Sequence, residues 1–256
     1  MSAPVVIAFA GKGGTGKTTV SGILVRYLAS LGKRVLAVDA DPNSNLNEVL
    51  GVELPTTLGD VRENLAGREK SGEPIPGGMT KAEFAEFAMG DCLCEEDDYD
   101  LLVMGRTQGQ GCYCFVNGLL KTQIERYAKS YDYIVVDNEA GLEHISRGTL
   151  PHIDILLLVS DCSRRGIQAV GRLSQMAKEL RLEPKSEGLI VNMAPSGELA
   201  QGILDEIAAQ ELNLAAVLPR DNAVYEADAE GQPSSALPDT SAIKSAMGQL
   251  YAFLLS

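Results

Sequence analysis

The chain has 256 residues, 45% of them hydrophobic, and a formal net charge of −13 at pH 7. That length suits one well-buried α/β domain, and no Pro/Gly/Ser-rich linker divides it. The negative charge argues against nonspecific nucleic-acid binding and against attraction to acidic membranes, so neither nucleic acid nor membrane is an expected partner. Five cysteines, an odd number, point to thiol chemistry or metal rather than to a disulfide framework. No basic leader with a long apolar stretch opens the chain, and no apolar run approaches the ~20 residues that cross a bilayer. The expected location is the cytoplasm.

Val5-Val6-Ile7-Ala8-Phe9-Ala10 reads as a buried strand, and Val20, Ile23, Leu24, Tyr27, Leu28 and Leu31 lay out a helix. Between them stands Gly11-Lys12-Gly13-Gly14-Thr15-Gly16-Lys17-Thr18, a complete G-x-x-x-x-G-K-[ST] in strand–turn–helix context. Glycines let the backbone curl so that successive N–H groups point at phosphate oxygens, helped by the positive end of the helix. The expected contacts to ATP or ADP are Gly11, Gly13, Gly14, Thr15, Gly16, Lys17, Thr18 and Thr19. Lys17 brings charge to the β- and γ-phosphates, and Thr18 brings a hydroxyl to Mg²⁺. Lys12 is a second lysine, in a place where an ordinary P-loop needs none. It is either a solvated charge or a cation that reaches another subunit's nucleotide, as an arginine finger does in trans.

Val35-Leu36-Ala37-Val38 reads as a second buried strand ending in Asp39-Ala40-Asp41-Pro42-Asn43-Ser44-Asn45. Carboxylates at the carboxyl end of a strand beside a P-loop lie where open α/β sheets bind ligands. Asp41 can orient or deprotonate the attacking water and Asp39 can hold a water of the Mg²⁺ shell; alternatively both cap the next helix. Within 51–98 the sequence predicts a short helix in Val52–Leu65, an irregular excursion over Arg68–Gly78 and a helix over Ala82–Met89. Residues 66–98 as a whole read as an irregular insertion. Cys92-Leu93-Cys94 before Glu95-Glu96-Asp97-Asp98 is either a weak metal trap or a pair of partly buried spacers before a solvated loop.

Tyr99–Met104 reads as a strand leading through a glycine-rich loop to Cys112-Tyr113-Cys114, with a helix through Leu119, Leu120, Ile124 and Tyr127. In extended chain Cys112 and Cys114 face one way, half of a four-sulfur site that a second copy can complete across a twofold axis. The alternative is packing, which the glycine-rich approach makes less apt. Tyr133–Asp137 is another buried strand, and Asp137-Asn138-Glu139-Ala140-Gly141 has the D-x-x-x-G spacing of a switch II. There the aspartate takes a Mg²⁺-bound water and the glycine amide senses the γ-phosphate. His144, just beyond, reads more readily as a packed residue than as a ligand. Strands over Ile153–Ser160, Gly188–Val191 and Leu214–Leu218 alternate with helices over 164–181 and 197–211, which is βαβ order and a mostly parallel sheet. Asn192 and Pro219-Arg220-Asp221-Asn222 end two of these strands, where a base pocket would lie. A final helix spans Ala242–Leu254 and carries one lysine, so it is no basic membrane-docking tail.

The string GKGGTGKTT resembles the deviant Walker A of the ParA/MinD/nitrogenase-iron-protein group of dimeric ATPases. That resemblance implies a single-domain P-loop fold over 1–256, with Lys12 crossing the dimer interface. It also implies that Asp41 serves the water and that Asn192, Pro219 and Asp221 meet the base. Taken with DADPNS, G-C-Y-C-F and D-x-x-A-G-L-E-H, the chain is similar to the CooC family, ATPases that help mature the nickel sites of carbon monoxide dehydrogenase, with a close relative serving acetyl-CoA synthase. The likeness implies that Cys112 and Cys114, in a metal-binding loop over 109–115, hold Ni²⁺ with the same pair of a partner subunit. Zn²⁺ also suits four sulfurs. Residues 66–98 fit that likeness least. Two other readings stand beside it: an iron–sulfur ATPase using Cys94 with Cys112 or Cys114, and a ParA/MinD-type positioning ATPase.

Overall fold

Strand β1 (Val5–Gly11) is apolar on both sides, with Val6, Ala8 and Ala10 facing one core and Ile7 and Phe9 the other. Such two-sided burial belongs to a central strand covered by helices on both faces. The computed structural model describes residues 3–43, 45–106, 114–142, 145, 150 and 152–256, without the side chains of residues 82, 114 and 115. Seven further strands are β2 (Val35–Asp39), β3 (Leu93–Glu95), β4 (Asp100–Val103), β5 (Tyr133–Asp137), β6 (Ile155–Asp161), β7 (Ser186–Ala194) and β8 (Leu214–Pro219). Among the described residues they form one sheet in the order β3-β4-β2-β5-β1-β6-β7-β8, parallel except where β3 lies antiparallel along β4.

The helices are α1 (Lys17–Ser30), α2 (Leu46–Leu50), α3 (Leu58–Ser71), α4 (Lys81–Gly90), α5 (Cys114–Tyr127), α6 (Arg164–Glu179), α7 (Gln201–Ala209), α8 (Asn222–Ala229) and α9 (Ala242–Leu254). Side chains of α1, α2 and α9 cover the Ile7/Phe9 face, and those of α3 to α7 cover the other. Leu24 of α1, Leu58 of α3 and Leu120 of α5 are fully buried, each worth about 1.5–3 kcal/mol of transfer from water. This is the α/β architecture expected, a mostly parallel sheet between helical layers.

Residues 66–98 are more regular than expected. Helix α3 runs on to Ser71 and stops at Gly72, whose φ of 72° is left-handed. Thr57 caps it reciprocally with Asp60, and Thr80 caps α4 with Glu83 in the same way. The first pair starts a helix that runs into the stretch whose glycines, prolines and charges suggested irregular chain, and the second starts the helix expected over Ala82–Met89. The short strand β3 lacks an apolar run of its own and exists through pairing with β4.

The topology gathers three strand ends. Asp39 closes β2 and Asp137 closes β5, opposite one another in register, and β1 feeds Gly11 in beside them. No helix among the described residues is long and apolar enough to cross a membrane.

Candidate nucleotide site

The loop after β1 is built by backbone that side chains would obstruct. A Cβ on Gly11 would stand 2.4 Å from the carbonyl oxygen of Val159, so β1 can lie against β6 there only as glycine. Gly16, at φ 84°, is the left-handed N-cap of α1, and a Cβ on it would meet the Asn192 amide at 2.5 Å. The Thr15 hydroxyl donates to the Lys12 carbonyl at 2.9 Å and closes the curl. Asn192 reaches in from the end of β7, its Nδ2 donating to the Thr15 carbonyl at 3.0 Å. Lys17, 8% exposed, lies back over the loop with Nζ 3.4 Å from the Lys12 carbonyl. Lys12, Gly13 and Gly14 are exposed.

Two carboxylates stand below this loop. Asp39 accepts from the Asp41 and Leu46 amides, both at 3.0 Å, and so also holds the start of α2. Burial pushes its carboxyl up to about 6. Asp137 is 1% exposed, and its Oδ1 has no hydrogen-bond partner. Burial, then the negative charge of Asp39, push Asp137 up to about 7, while the Thr18 hydroxyl and the Lys17 charge pull it down. Next to it, Asn138 donates Nδ2 to the Phe9 carbonyl at 3.0 Å, and its Oδ1 also lacks a partner. Gly141, at φ 98°, donates its amide to the Gly11 carbonyl at 3.3 Å, so the D-x-x-x-G turn touches the start of the phosphate loop.

A buried carboxylate pair with an orphaned oxygen, beside a hydroxyl, has the chemistry of a divalent-cation site. The residues fit Mg²⁺: Thr18 and Asp137 would hold it, with Asp39 in the surrounding shell. Bound there, the ion supplies positive charge to the terminal phosphates. The chain's own backbone N–H groups and the Lys17 ammonium would meet the phosphate charge there. Asp41 is half-buried, and its carboxylate accepts from the Asn43 amide at 2.7 Å.

The remaining predicted residues take varied positions. Asp221 uses one carboxylate oxygen to cap α8 through the Ala223 amide at 2.9 Å. The other accepts from the Ser241 hydroxyl at 2.7 Å and the Ile243 amide at 3.2 Å. Burial raises this carboxyl, but those hydrogen bonds outweigh it and hold it below the usual range. Pro219 ends β8, level with Ala194 of β7. Thr18 and Thr19 open onto a cleft of about 550 Å³ that continues between Asn45, Glu48, Asp228 and Gln232. These four were not singled out from the sequence, where no motif joins them.

Arg106 was missed too. It follows β4, and its Nη2 donates to Asn43 Oδ1 at 2.6 Å, joining the segment after Asp39 and Asp41 to the segment that leads to the cysteines. The signal was a lone cation after Gly105, whose own φ of 68° and contact with Thr57 clamp that corner to the start of α3.

Cys112, Gly109 and His144 lie outside the described residues, and Cys114 is described only as the first residue of α5. Cys92 and Cys94 are buried in different cores, on opposite faces of the sheet. Burial pushes the Cys92 thiol up to about 12 and raises Cys94 as well. Protonated thiols facing apart make a poor metal trap, so the spacer reading describes them. Among the described residues no cluster of three or more His, Cys, Asp or Glu side chains is placed to hold a metal.

The CobQ/CobB/MinD/ParA nucleotide binding domain matches residues 6–234. An uncharacterized ATP-binding protein of Methanocaldococcus jannaschii is 40% identical over 240 residues, covering 93% of each chain. The carbon monoxide dehydrogenase accessory protein CooC of Rhodospirillum rubrum is 33% identical over 236 residues, covering 88% of this chain and 87% of that one. In fold, the chain superposes on the septum site-determining protein MinD of Pyrococcus horikoshii, solved with Mg-ADP, with a TM-score of 0.72 at 24% identity, over 98% of this chain and 96% of that one. With its glycine cradle, its lysine and its paired strand-end aspartates in place, the chain belongs to the CobQ/CobB/MinD/ParA family and is a P-loop ATPase.

Proposed function

We propose that this ATPase is a cytoplasmic metallochaperone that takes up Ni²⁺ between two subunits and helps insert it into apo carbon monoxide dehydrogenase or acetyl-CoA synthase. The observation that carries the reading is the 33% identity to CooC over most of both chains, in a sequence that has Gly-Cys-Tyr-Cys at 111–114. Cys112 and Cys114 from each subunit supply four thiolates, and the nickel is cargo rather than a resident cofactor. Thiolates also favour Zn²⁺, so affinity alone does not select nickel. ATP binding draws the subunits together, with Lys12 of each reaching the other's nucleotide. Hydrolysis then loosens the shared site. Support for a link between the two sites comes from Arg106, bound to Asn43 and preceding the cysteine segment.

Equilibrium dialysis with ⁶³Ni²⁺ and ATP tests this on the wild type and on Cys112→Ala/Cys114→Ala. The proposal expects nickel shared between subunits in the wild type and its loss in the double variant. Unchanged nickel stoichiometry contradicts it, as does tight binding to DNA or liposomes at physiological salt, which favours a positioning ATPase.

A further inference from the structure

A phosphate loop works by aiming N–H groups inward, so its carbonyls point outward and need donors from elsewhere. On one side of Gly16 the loop is tied by the Thr15 hydroxyl, which donates to the Lys12 carbonyl at 2.9 Å. On the other side the Val20 amide donates to the Gly16 carbonyl at 2.9 Å as α1 begins. Between these ties lies the peptide that joins Thr15 to Gly16. A trans peptide is planar, with its C=O and N–H pointing opposite ways, so whatever holds the Thr15 carbonyl also aims the Gly16 N–H. Glycine takes either sign of φ with similar ease, and Gly16, at φ 84°, by itself leaves this peptide able to turn over. Turned over, it would set a carbonyl oxygen toward the phosphates and carry the N–H away from them.

The group that holds it comes from another strand. Ile190 of β7 packs into the core that α1 covers, and alternation along the strand puts Asn192 on the same face. Asn192 is 5% exposed and stands in register with Asp161 of β6. Its Nδ2 donates to the Thr15 carbonyl at 3.0 Å, and the approach is so close that a Cβ on Gly16 would stand 2.5 Å from that nitrogen. Just past Asn192 the ladder with β8 shifts by one residue between Val191 and Ala194, and Met193 takes φ 58°, where its Cβ is disfavoured. A strained bulge of this kind persists where the surrounding structure holds it.

We infer that Asn192 is a positioning residue for the phosphate loop. By holding the Thr15 carbonyl outward it keeps the Gly16 N–H aimed at phosphate, whether or not a base is bound. This role rests on the nucleotide site alone and is separable from the contact with the base expected from the sequence.

Inorganic tripolyphosphate tests it, because it carries the phosphates of ATP and no base. Titration calorimetry with its Mg²⁺ complex, and with Mg²⁺ and a non-hydrolysable ATP analogue, compares the wild type with Asn192→Ala and Asn192→Asp. The alanine variant should bind tripolyphosphate about tenfold more weakly. Asn192→Asp keeps the shape but loses the donor as a carboxylate, so its loss should be at least as large. Tripolyphosphate affinity within about twofold of wild type in either variant overturns the inference. If only the ATP analogue then binds more weakly, Asn192 reads the base and nothing more. A measurement on the wild type needs no variant to fold. In ¹⁵N-labelled protein without ligand, one proton of the Asn192 side-chain amide should be protected from exchange with water, and should stay so after tripolyphosphate is added. Both protons exchanging at the rate of a free amide overturn the inference as well.

Discussion

Among the described residues two regions bury polar groups without partners, and they differ in kind. At the strand ends the unmet atoms are Asp137 Oδ1 and Asn138 Oδ1, beside a second carboxylate and a lysine. On α5 they are Gln123 Oε1 and Asn117 Oδ1, neutral amides on a helix. The first arrangement is strained by charge, so it is relieved by a proton or a cation. The second is insensitive to both and is relieved by a neutral donor or by removing the amide. An unmet atom therefore tells something of its ligand through its charge.

The widest separation between the regions is in catalysis. Lys12→Gln should lower ATP hydrolysis on the order of 10³-fold while nucleotide affinity changes by less than about threefold, as for loss of a cation supplied in trans. Single-turnover hydrolysis and nucleotide titration measure the two parts. No substitution on α4 should approach that loss.

Next in size is a contrast in pH. In nucleotide- and Mg²⁺-free protein, Asp137 at about 7 and Asp39 at about 6 lie above their ordinary unfolded values near 4. The folded state thus binds more protons between about pH 4 and 7, and stability falls as pH rises through that window. Asp137→Asn should raise the Tm of this form by about 3–8 °C at pH 7.5, with the gain shrinking toward pH 5. It should also remove the stabilisation given by Mg-ADP. Gln123→Leu should raise the Tm by about 2–4 °C at both pH values. Thermal melts of both variants at pH 5 and 7.5 break the comparison if the two profiles have the same shape.

The smallest stability effect belongs to Arg106→Ala. An exposed hydrogen bond of this kind is worth about 0–1 kcal/mol, so the melt should barely move. The expected change is that nickel affinity responds less to ATP, read by dialysis with and without nucleotide.

How much of this was legible differs along the chain for physical reasons. The phosphate loop and seven strands were readable because glycine spacing and two-sided apolar runs are local patterns. Asp39 and Asp137 were readable as strand ends. The strand β3 was not, because three residues ending in Glu95 owe their conformation to β4. Asn192 was expected at the base, and its bond to the Thr15 carbonyl depends on contact between residues 177 apart. Asp221 holds α9 through Ser241, again a partner that spacing does not reveal. The helix over Ala82–Met89 was readable and stands as α4, whereas the run of α3 past Leu65 to Ser71 was not, because the glycines, prolines and charges of 67–78 outweighed it.

The central claim is that nucleotide in one pocket brings two cysteine pairs onto a shared ion. Sedimentation velocity of the wild type with saturating Ni²⁺ and a non-hydrolysable ATP analogue measures this most directly, with metal quantified across the boundary. The account predicts a dimer carrying nickel, reverting toward monomer in Cys112→Ala/Cys114→Ala. A wild-type protein that stays monomeric with both ligands bound contradicts it.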